Sequence, residues 1–200
     1  MNSFEEEAPL YRELLQDARF YQFELEADRQ LLAEARAGGC GSCGSALHSS
    51  PFRRKPRGGL AGLHEEHAKR FSLCCGRHGC RQRCTPPSLR FLGRKVYLGA
   101  VVVVVSAMRH GATAERMRKL RELFGVSRRT VERWRKWWCE AFAESSFWRI
   151  ASAAFMPPAE VKRLPGSLLE RFEGGAEARL LSLLRFLGPI SSGAGMAHAR

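Results

Sequence analysis

The pattern of apolar positions predicts a mainly helical chain that begins with one long helix. Between Leu10 and Arg36 apolar residues recur at helical spacing, Pro9 suits a first helical turn, and Gly38 can end the helix. The apolar stripe is close to a heptad seam that Asp28 interrupts, so it either packs on its own domain or pairs with a second copy in a homodimer. The stripe comprises Tyr11, Leu14, Ala18, Tyr21, Leu25, Leu32 and Ala35.

Residues 40–95 lose the helical period, and glycine, proline, cysteine and arginine dominate. A segment with so little apolar pattern needs another source of stability, and a bound metal ion supplies one. We therefore expect a small zinc-ribbon β element here.

Helical patterns return after residue 96. The β-branched run Val101–Val105 favours a strand by propensity, but it lies in an apolar segment that Arg109, His110 and Gly111 close, which favours a buried helix. This segment, Val96 to Met108, is shorter than the roughly 20 residues that cross a bilayer, so we expect no membrane association.

Two further helices follow, separated by a tight turn. Thr113 can cap the first, Gly125 can end it, and Ser127 can cap the second. The predicted inward positions are Met117, Leu120, Leu123 and Phe124 on the first helix and Val131, Trp134, Trp138 and Phe142 on the second.

Beyond residue 142 the sequence predicts two short amphipathic helices, over 167–172 and 177–187, after a break at Pro157-Pro158. The expected organisation is an N-terminal helix, a zinc ribbon with a basic loop, a helix-turn-helix domain, a short helical C-terminal segment and a mobile tail. The corresponding ranges are 1–39, 40–95, 96–148, 149–187 and 188–200.

The positive charge is concentrated in the middle of the chain. Residues 40–138 contain 22 basic and 5 acidic residues, whereas 1–39 carry a net charge of −5 and 139–200 a net charge of +1. Such a block can neutralise several phosphates and release their counterions. The first residues, MNSFEEE, are acidic where a secretory signal would be basic. We therefore expect a cytoplasmic protein that binds double-stranded DNA.

A reducing compartment favours metal ligation over disulfides for the 7 cysteines. Cys40 and Cys43 have the spacing of a zinc knuckle, and Cys75 and Cys80, with glycines between them, are the most plausible second pair. Four thiolates leave no open position, so the expected Zn²⁺ is structural. The alternatives left open for individual ligands are Cys74, Cys84, His48 and His78.

The helix that begins after Ser127 has the composition of a DNA recognition helix. Arg129, Glu132, Arg133 and Lys136 recur at spacings of three and four opposite the apolar stripe. Arg128 and Thr130 lie in the first turn, where a recognition helix approaches the major groove. The predicted DNA-binding residues are Arg128, Arg129, Thr130, Arg133 and Lys136; the alternative is an ordinary basic helix over a Trp-rich core.

The order of these parts resembles the N-terminal DNA-binding region of bacterial insertion-sequence transposases of the zinc-ribbon type. The resemblance is carried by the Cys-x2-Cys knuckle, the stretch CRQRCTPPSLRFLGRKVYLG and the segment GVSRRTVERW, and it covers about residues 40–142. It implies a zinc-stabilised module that recognises DNA for transposition. Two departures are a Cys-x4-Cys second knuckle and the lack of room for the acidic, RNase-H-like catalytic domain of such enzymes.

We therefore expect a transposase-associated or transposase-derived DNA-binding protein, or a repressor, that is not itself an enzyme and takes no small-molecule substrate. One alternative is the DNA-binding subunit of a transposase whose catalytic chain is separate. Another is a zinc-ribbon adaptor that binds other proteins.

Overall fold

The computed structural model describes residues 3–108 and 113–192, which form a mainly helical fold with a small amount of antiparallel sheet. The α-helices are α1 (Ser3–Leu14), α2 (Ala18–Ala37), α3 (Gly99–Ala107), α4 (Ala114–Phe124), α5 (Arg128–Trp137), α6 (Ser146–Ala151), α7 (Gly166–Leu169), α8 (Ala176–Phe186) and α9 (Gly188–Ser191). The strands are β1 (Leu47–Ser49), β2 (Phe52–Arg53), β3 (Lys69–Arg70), β4 (Leu73–Cys75) and β5 (Arg83–Cys84). Short 3-10 turns cover Glu65–Ala68, Ser152–Ala154 and Val161–Arg163, and a π-helical turn covers Trp138–Phe142.

The N-terminal region is two helices, so the prediction of one long helix is wrong. Between them Asp17 has an extended backbone and accepts a hydrogen bond from the backbone N–H of Arg19 at 2.9 Å, as a helix N-cap does. Tyr11 of α1, Leu15 of the connecting turn and Tyr21 of α2 are buried in the core of the same chain. The apolar stripe thus packs within the chain, and homodimer formation stays a prediction.

Helix α3 lies at the centre of the core and packs against α5, α7 and α8. All 9 of its residues are buried. A helix satisfies the backbone polar groups of such a segment internally, which outweighs the strand propensity of its valines. The predicted helix is confirmed, whereas its predicted end at Arg109 to Gly111 lies outside the described residues. Within the described ranges, no helix is both long and apolar enough to cross a bilayer.

Two small antiparallel sheets occupy the cysteine-rich region. Strand β4 pairs with β1 on one side and with β5 on the other, and β2 pairs with β3. Cys40, Leu47, Leu73 and Cys75 form a buried cluster of their own, against which Leu32 and Ala35 of α2 pack. The sheet region therefore has a small core supported by the end of α2.

A buried ion pair joins α2 to the sheet region. The Arg90 Nε donates to Asp28 Oδ2 at 2.8 Å, and each side chain is 1% exposed. Asp28 also accepts hydrogen bonds from the Ser88 hydroxyl at 2.6 Å and the Leu89 N–H at 2.7 Å. The Arg90 guanidinium further donates, at 3.1 Å each, to the backbone carbonyls of Glu66, His67 and Lys69.

The turn between α4 and α5 follows the expected chemistry. The Thr113 hydroxyl accepts from the Arg116 N–H at 3.3 Å, and the Ser127 hydroxyl accepts from the Thr130 N–H at 3.3 Å. Gly125 has a φ of 64°, the left-handed conformation that ends many helices. The predicted caps and the glycine stop are confirmed.

The C-terminal helices pack on the same core as α1 and α2. Helices α7 and α8 confirm the two predicted helices: α7 ends three residues earlier than predicted, and α8 is shifted by one residue toward the N-terminus. The expectation of a mobile tail from Gly188 is wrong for 188–191, because these residues form α9, Ile190 is buried, and the Ser191 hydroxyl accepts from the Ser88 N–H at 2.7 Å. Residues 193–200 lie outside the described residues.

Candidate metal centre and basic surfaces

Four cysteines come together at one end of the sheet region. The sulfur atoms of Cys40, Cys43, Cys75 and Cys80 all lie within 4.8 Å of one another. The Cys40 and Cys80 sulfurs are 3.8 Å apart and the Cys43 and Cys75 sulfurs 3.5 Å apart. Thiolates bound tetrahedrally at about 2.3 Å from Zn²⁺ are separated by about 3.8 Å, so the spacing fits this ion.

Local backbone structure places each pair. Cys40 and Cys43 lie in a turn just after α2, in which the Cys43 and Gly44 N–H groups donate to the Cys40 carbonyl at 3.2 and 2.7 Å. Cys75 ends strand β4 and Cys80 lies in the loop that leads to β5. The turn and the hairpin loop thus face each other as two knuckles.

Hydrogen bonds favour the metal-binding thiolate in the first knuckle. The side chain and the backbone N–H of Ser45 lower the pKa of Cys43 to about 6. At Cys75 the Arg77 N–H donates to the sulfur at 3.4 Å and favours the thiolate, but burial and the neighbouring Cys43 and Cys40 thiols raise its pKa to about 12. Deprotonating all four thiols would place four negative charges close together, and their repulsion opposes it. A divalent cation between the sulfur atoms would compensate this repulsion.

The alternative ligands lie elsewhere. The Cys74 thiol is directed toward the Arg81 carbonyl at 3.6 Å. Cys84 packs beside the cluster, and His48 and His78 are exposed. Within the described residues, none of these four belongs to a group that could hold a metal ion. The structure thus brings together the four cysteines that the spacing favoured.

Helix α5 presents two different faces. Val131 and Trp134 are buried, whereas Arg129, Arg133 and Lys136 are exposed. Arg128 is also exposed, and the half-buried Thr130 has its hydroxyl 3.0 Å from that of Ser127. Lys136 lies 3.8 Å from Glu140, a distant and solvated pair. Four of the five predicted DNA-binding residues therefore present cationic groups to solvent.

Two arginines of the predicted basic loop, Arg53 at the end of β2 and Arg54 directly after it, make contacts within the chain. Arg53 pairs with Glu65 at 2.5 Å. Arg54 donates to the carbonyls of Gly93 and Lys95 at 2.8 Å each. This side chain holds the 93–95 segment against β2.

Sequence reasoning missed a cleft of about 1040 Å³ between α5, the 92–97 segment and α9. Its lining contains five basic side chains and, among the described residues, no carboxylate. The Lys95 ammonium lies 3.2 Å from the centroid of the Trp137 ring. Burial, with a smaller effect of the charge on Arg133, lowers the pKa of Lys95 to about 7. The basic residues are Arg54, Arg70, Arg94, Lys95 and Arg133.

Comparison of the chain with protein-family models, with curated proteins and with solved structures gives no match. The cysteine cluster and the basic surfaces are therefore the features that bear on function. The first offers four soft ligands to a closed metal site, and the second offers cationic groups to an anionic partner.

Proposed function

We propose that this protein binds double-stranded DNA through a helix-turn-helix in which α5 is the recognition helix. The observation that carries the proposal is the division of α5 into an apolar face, with Val131 and Trp134 in the core, and a cationic exposed face, with Arg129 and Arg133. Arginine donates two hydrogen bonds to guanine in the major groove, the commonest specific base contact. An α-helix fixed by buried aromatic residues holds such side chains in register.

The start of α5 supports the same proposal. Arg128 is exposed in the first turn, where backbone N–H groups of a helix can meet a phosphate. The basic block, 22 positive against 5 negative residues over 40–138, adds affinity that does not depend on sequence.

The cysteine cluster fits a structural Zn²⁺, and we propose that Cys40, Cys43, Cys75 and Cys80 hold it as a closed Cys₄ site. Bound metal would fix the turn after α2 to the β4–β5 hairpin. Four protein ligands leave no position for a substrate, so the ion would stabilise the fold and would not take part in a reaction.

We further propose that the chain is a transposase-associated or transposase-derived recognition factor, or a repressor, and that it does not cut DNA by itself. Support for this comes from the resemblance in residues 40–142 and from the closed metal site. A separate catalytic chain would supply any strand transfer.

Binding-site selection followed by salt titration tests the proposal. Replacing Arg129 or Arg133 by Ala should cost about 1–3 kcal/mol on the selected site and relax preference at one or two positions. Replacing Lys136 should weaken binding to all sequences and reduce the slope of log affinity against log salt by about one unit. Arg149, which is exposed on α6, provides the matched Arg→Ala control.

Two outcomes would count against a DNA-reading α5. The first is that Arg129→Ala and Arg133→Ala leave affinity and the selected motif unchanged. The second is that Arg149→Ala reduces affinity as much as they do, which would indicate a diffuse charge effect. Either outcome would favour the protein-interaction adaptor.

A further inference from the structure

The cleft beside α5 has an unbalanced set of positive charges. Arg54 and Arg70 donate to backbone carbonyls and thereby form its rigid wall. In the part of the chain that the structure describes, no ion pair joins Arg94, Lys95 or Arg133 to a carboxylate. Lys95 is half-buried, and a partly buried cation without an acidic partner is costly; an anion in the cleft would compensate it and would also attract the exposed Arg94 and Arg133.

Lys95 shows this imbalance most clearly. Its ammonium is held against the Trp137 ring, a contact that offers it only a partial substitute for water. The lowered pKa of Lys95 reflects that loss of solvation and the nearby charge of Arg133. A phosphate group at this point would supply both the charge and the hydrogen-bond acceptors that the ammonium lacks.

Aromatic surface lies in the same cleft. Phe52 is 42% exposed, Trp137 is half-buried, and both rings contribute to the lining. Ring surface beside converging cations is the combination that binds a nucleobase together with its phosphate. The volume, about 1040 Å³, lies just above the range of about 300–1,000 Å³ that is usual for small-molecule sites.

We propose that this cleft is a binding site for a nucleoside phosphate, with the phosphate at Arg94, Lys95 and Arg133 and the base against Phe52 and Trp137. This site goes beyond the proposed DNA-binding function, because Arg133 is the only one of these five cleft residues that also belongs to the proposed DNA-binding set. Because Arg133 belongs to both surfaces, a bound nucleotide would withdraw one base-reading side chain from α5. Nucleotide and DNA would then compete for the protein. This competition rests on the proposed DNA-binding function, whereas nucleotide binding itself does not.

Calorimetric titration of the full chain with AMP, with inorganic phosphate and with adenosine tests the site directly. We expect AMP to bind, and phosphate and adenosine to bind roughly tenfold more weakly or worse, since each uses half of the cleft. Arg94→Ala and Lys95→Met should each weaken AMP binding roughly tenfold. Arg149→Ala is the control, because it removes one positive charge at an exposed residue of α6 that does not line the cleft.

Arg94 is exposed, so its replacement tests the site even if Lys95→Met alters folding. The proposal is overturned if AMP does not bind at millimolar concentration, if phosphate binds as tightly as AMP, or if Arg149→Ala weakens binding as much as Arg94→Ala. A short single-stranded oligonucleotide titrated in parallel identifies the source of the nucleotide. If the oligonucleotide binds at least as tightly as AMP and its binding depends on Arg94, the cleft binds a nucleotide within a strand. If the oligonucleotide binds more weakly than AMP, the cleft binds a free nucleotide.

A final titration with the selected duplex separates this proposal from the previous one. A chain that binds AMP but not the duplex supports the cleft and contradicts DNA recognition by α5. A chain that binds the duplex but not AMP does the reverse. When both bind, AMP should displace the duplex from the wild-type chain, and Arg94→Ala should raise the AMP concentration required.

Discussion

Replacing Asp28 by Asn should be among the most destabilising conservative changes in this chain. The carboxylate is the only acidic partner of the buried Arg90 within the described residues, and both side chains are 1% exposed. Asparagine has nearly the same shape, so the change removes the charge and leaves the packing. The positive charge of Arg90 would then be buried without compensation.

The magnitude follows from this geometry. Breaking a buried pair by removing one partner costs about 3–5 kcal/mol. Asparagine has a single side-chain oxygen, so an amide that still accepts from the Leu89 N–H turns its NH₂ donor toward the Arg90 Nε–H, and the buried charge loses its acceptor. With a urea slope of about 2 kcal/mol per M, the unfolding midpoint should fall by about 1.5–2.5 M.

The neighbouring Glu24 modifies this expectation. It is fully buried, and burial together with the charge of Asp28 raises its pKa well above the ordinary value, which favours the neutral carboxyl. Once Asp28 is neutral, Glu24 can ionise and partly compensate Arg90. A Glu24→Gln change alone should therefore have little effect, whereas the Glu24→Gln, Asp28→Asn double variant should lose more stability than the two single changes together.

Urea unfolding followed by tryptophan fluorescence measures all of these differences. Asp17→Asn is the matched control, because Asp17 pairs with the 91% exposed Arg19 and asparagine is an equally good N-cap. A loss below about 1 kcal/mol for both Asp28→Asn and the double variant would refute the reasoning. It would show that the three backbone carbonyls around Arg90 suffice to solvate its charge.

Three further predictions concern the metal, catalysis and pH. Metal analysis of the purified protein should find about one zinc per chain, and the Cys74→Ser variant should keep that zinc. Zinc that stays bound in a Cys40→Ser, Cys43→Ser double variant would contradict the site. Incubation with supercoiled plasmid and Mg²⁺ or Mn²⁺ should yield no nicking; nicking that a point change in this chain abolishes would exclude a purely binding role. Lys95→Met should stabilise the fold most at pH 7 and below, where the wild-type chain buries an ammonium. Because the pKa of Lys95 is lowered to about 7 in the folded chain, wild-type stability should gain up to about 1.4 kcal/mol per pH unit above that value. Between pH 7 and pH 9 the advantage of Lys95→Met in urea unfolding should therefore shrink. Lys119, which is exposed on α4 and pairs with Glu115 at 2.9 Å, gives the matched control Lys119→Met, and an advantage of Lys95→Met that is as independent of pH as the effect of this control would contradict the assignment.

Local chemistry made part of this structure predictable. Thr113, Gly125 and Ser127 act on residues within four positions of themselves, so the ends of α4 and α5 could be located without knowing the fold. The pairing of Cys40 and Cys43 with Cys75 and Cys80 could be inferred because metal-ligand spacing restricts the choice.

Other features depend on contacts that no local pattern records. The break at Asp17 was missed because the apolar spacing continues through it, and only the capping hydrogen bond shows that α2 starts afresh. In the sequence Asp28 is an acidic residue that interrupts an apolar stripe. Its partner, Arg90, lies 62 positions later, so the local pattern does not indicate the ion pair. In the sequence Lys95 is one of many basic residues in the 40–138 block. No neighbouring residue indicates that the Trp137 ring covers its ammonium.

The hydrogen bonds of Ser191 impose an order on folding during synthesis. This residue contacts Ser88 and Arg70, which precede it by 103 and 121 positions. A ribosome adding residues from the N-terminus releases the sheet region long before its last supports are available. Until residue 191 has emerged, the wall of the cleft that Arg70 helps to build is incomplete, and nascent chains that stop before α9 should be favoured targets for proteases and chaperones.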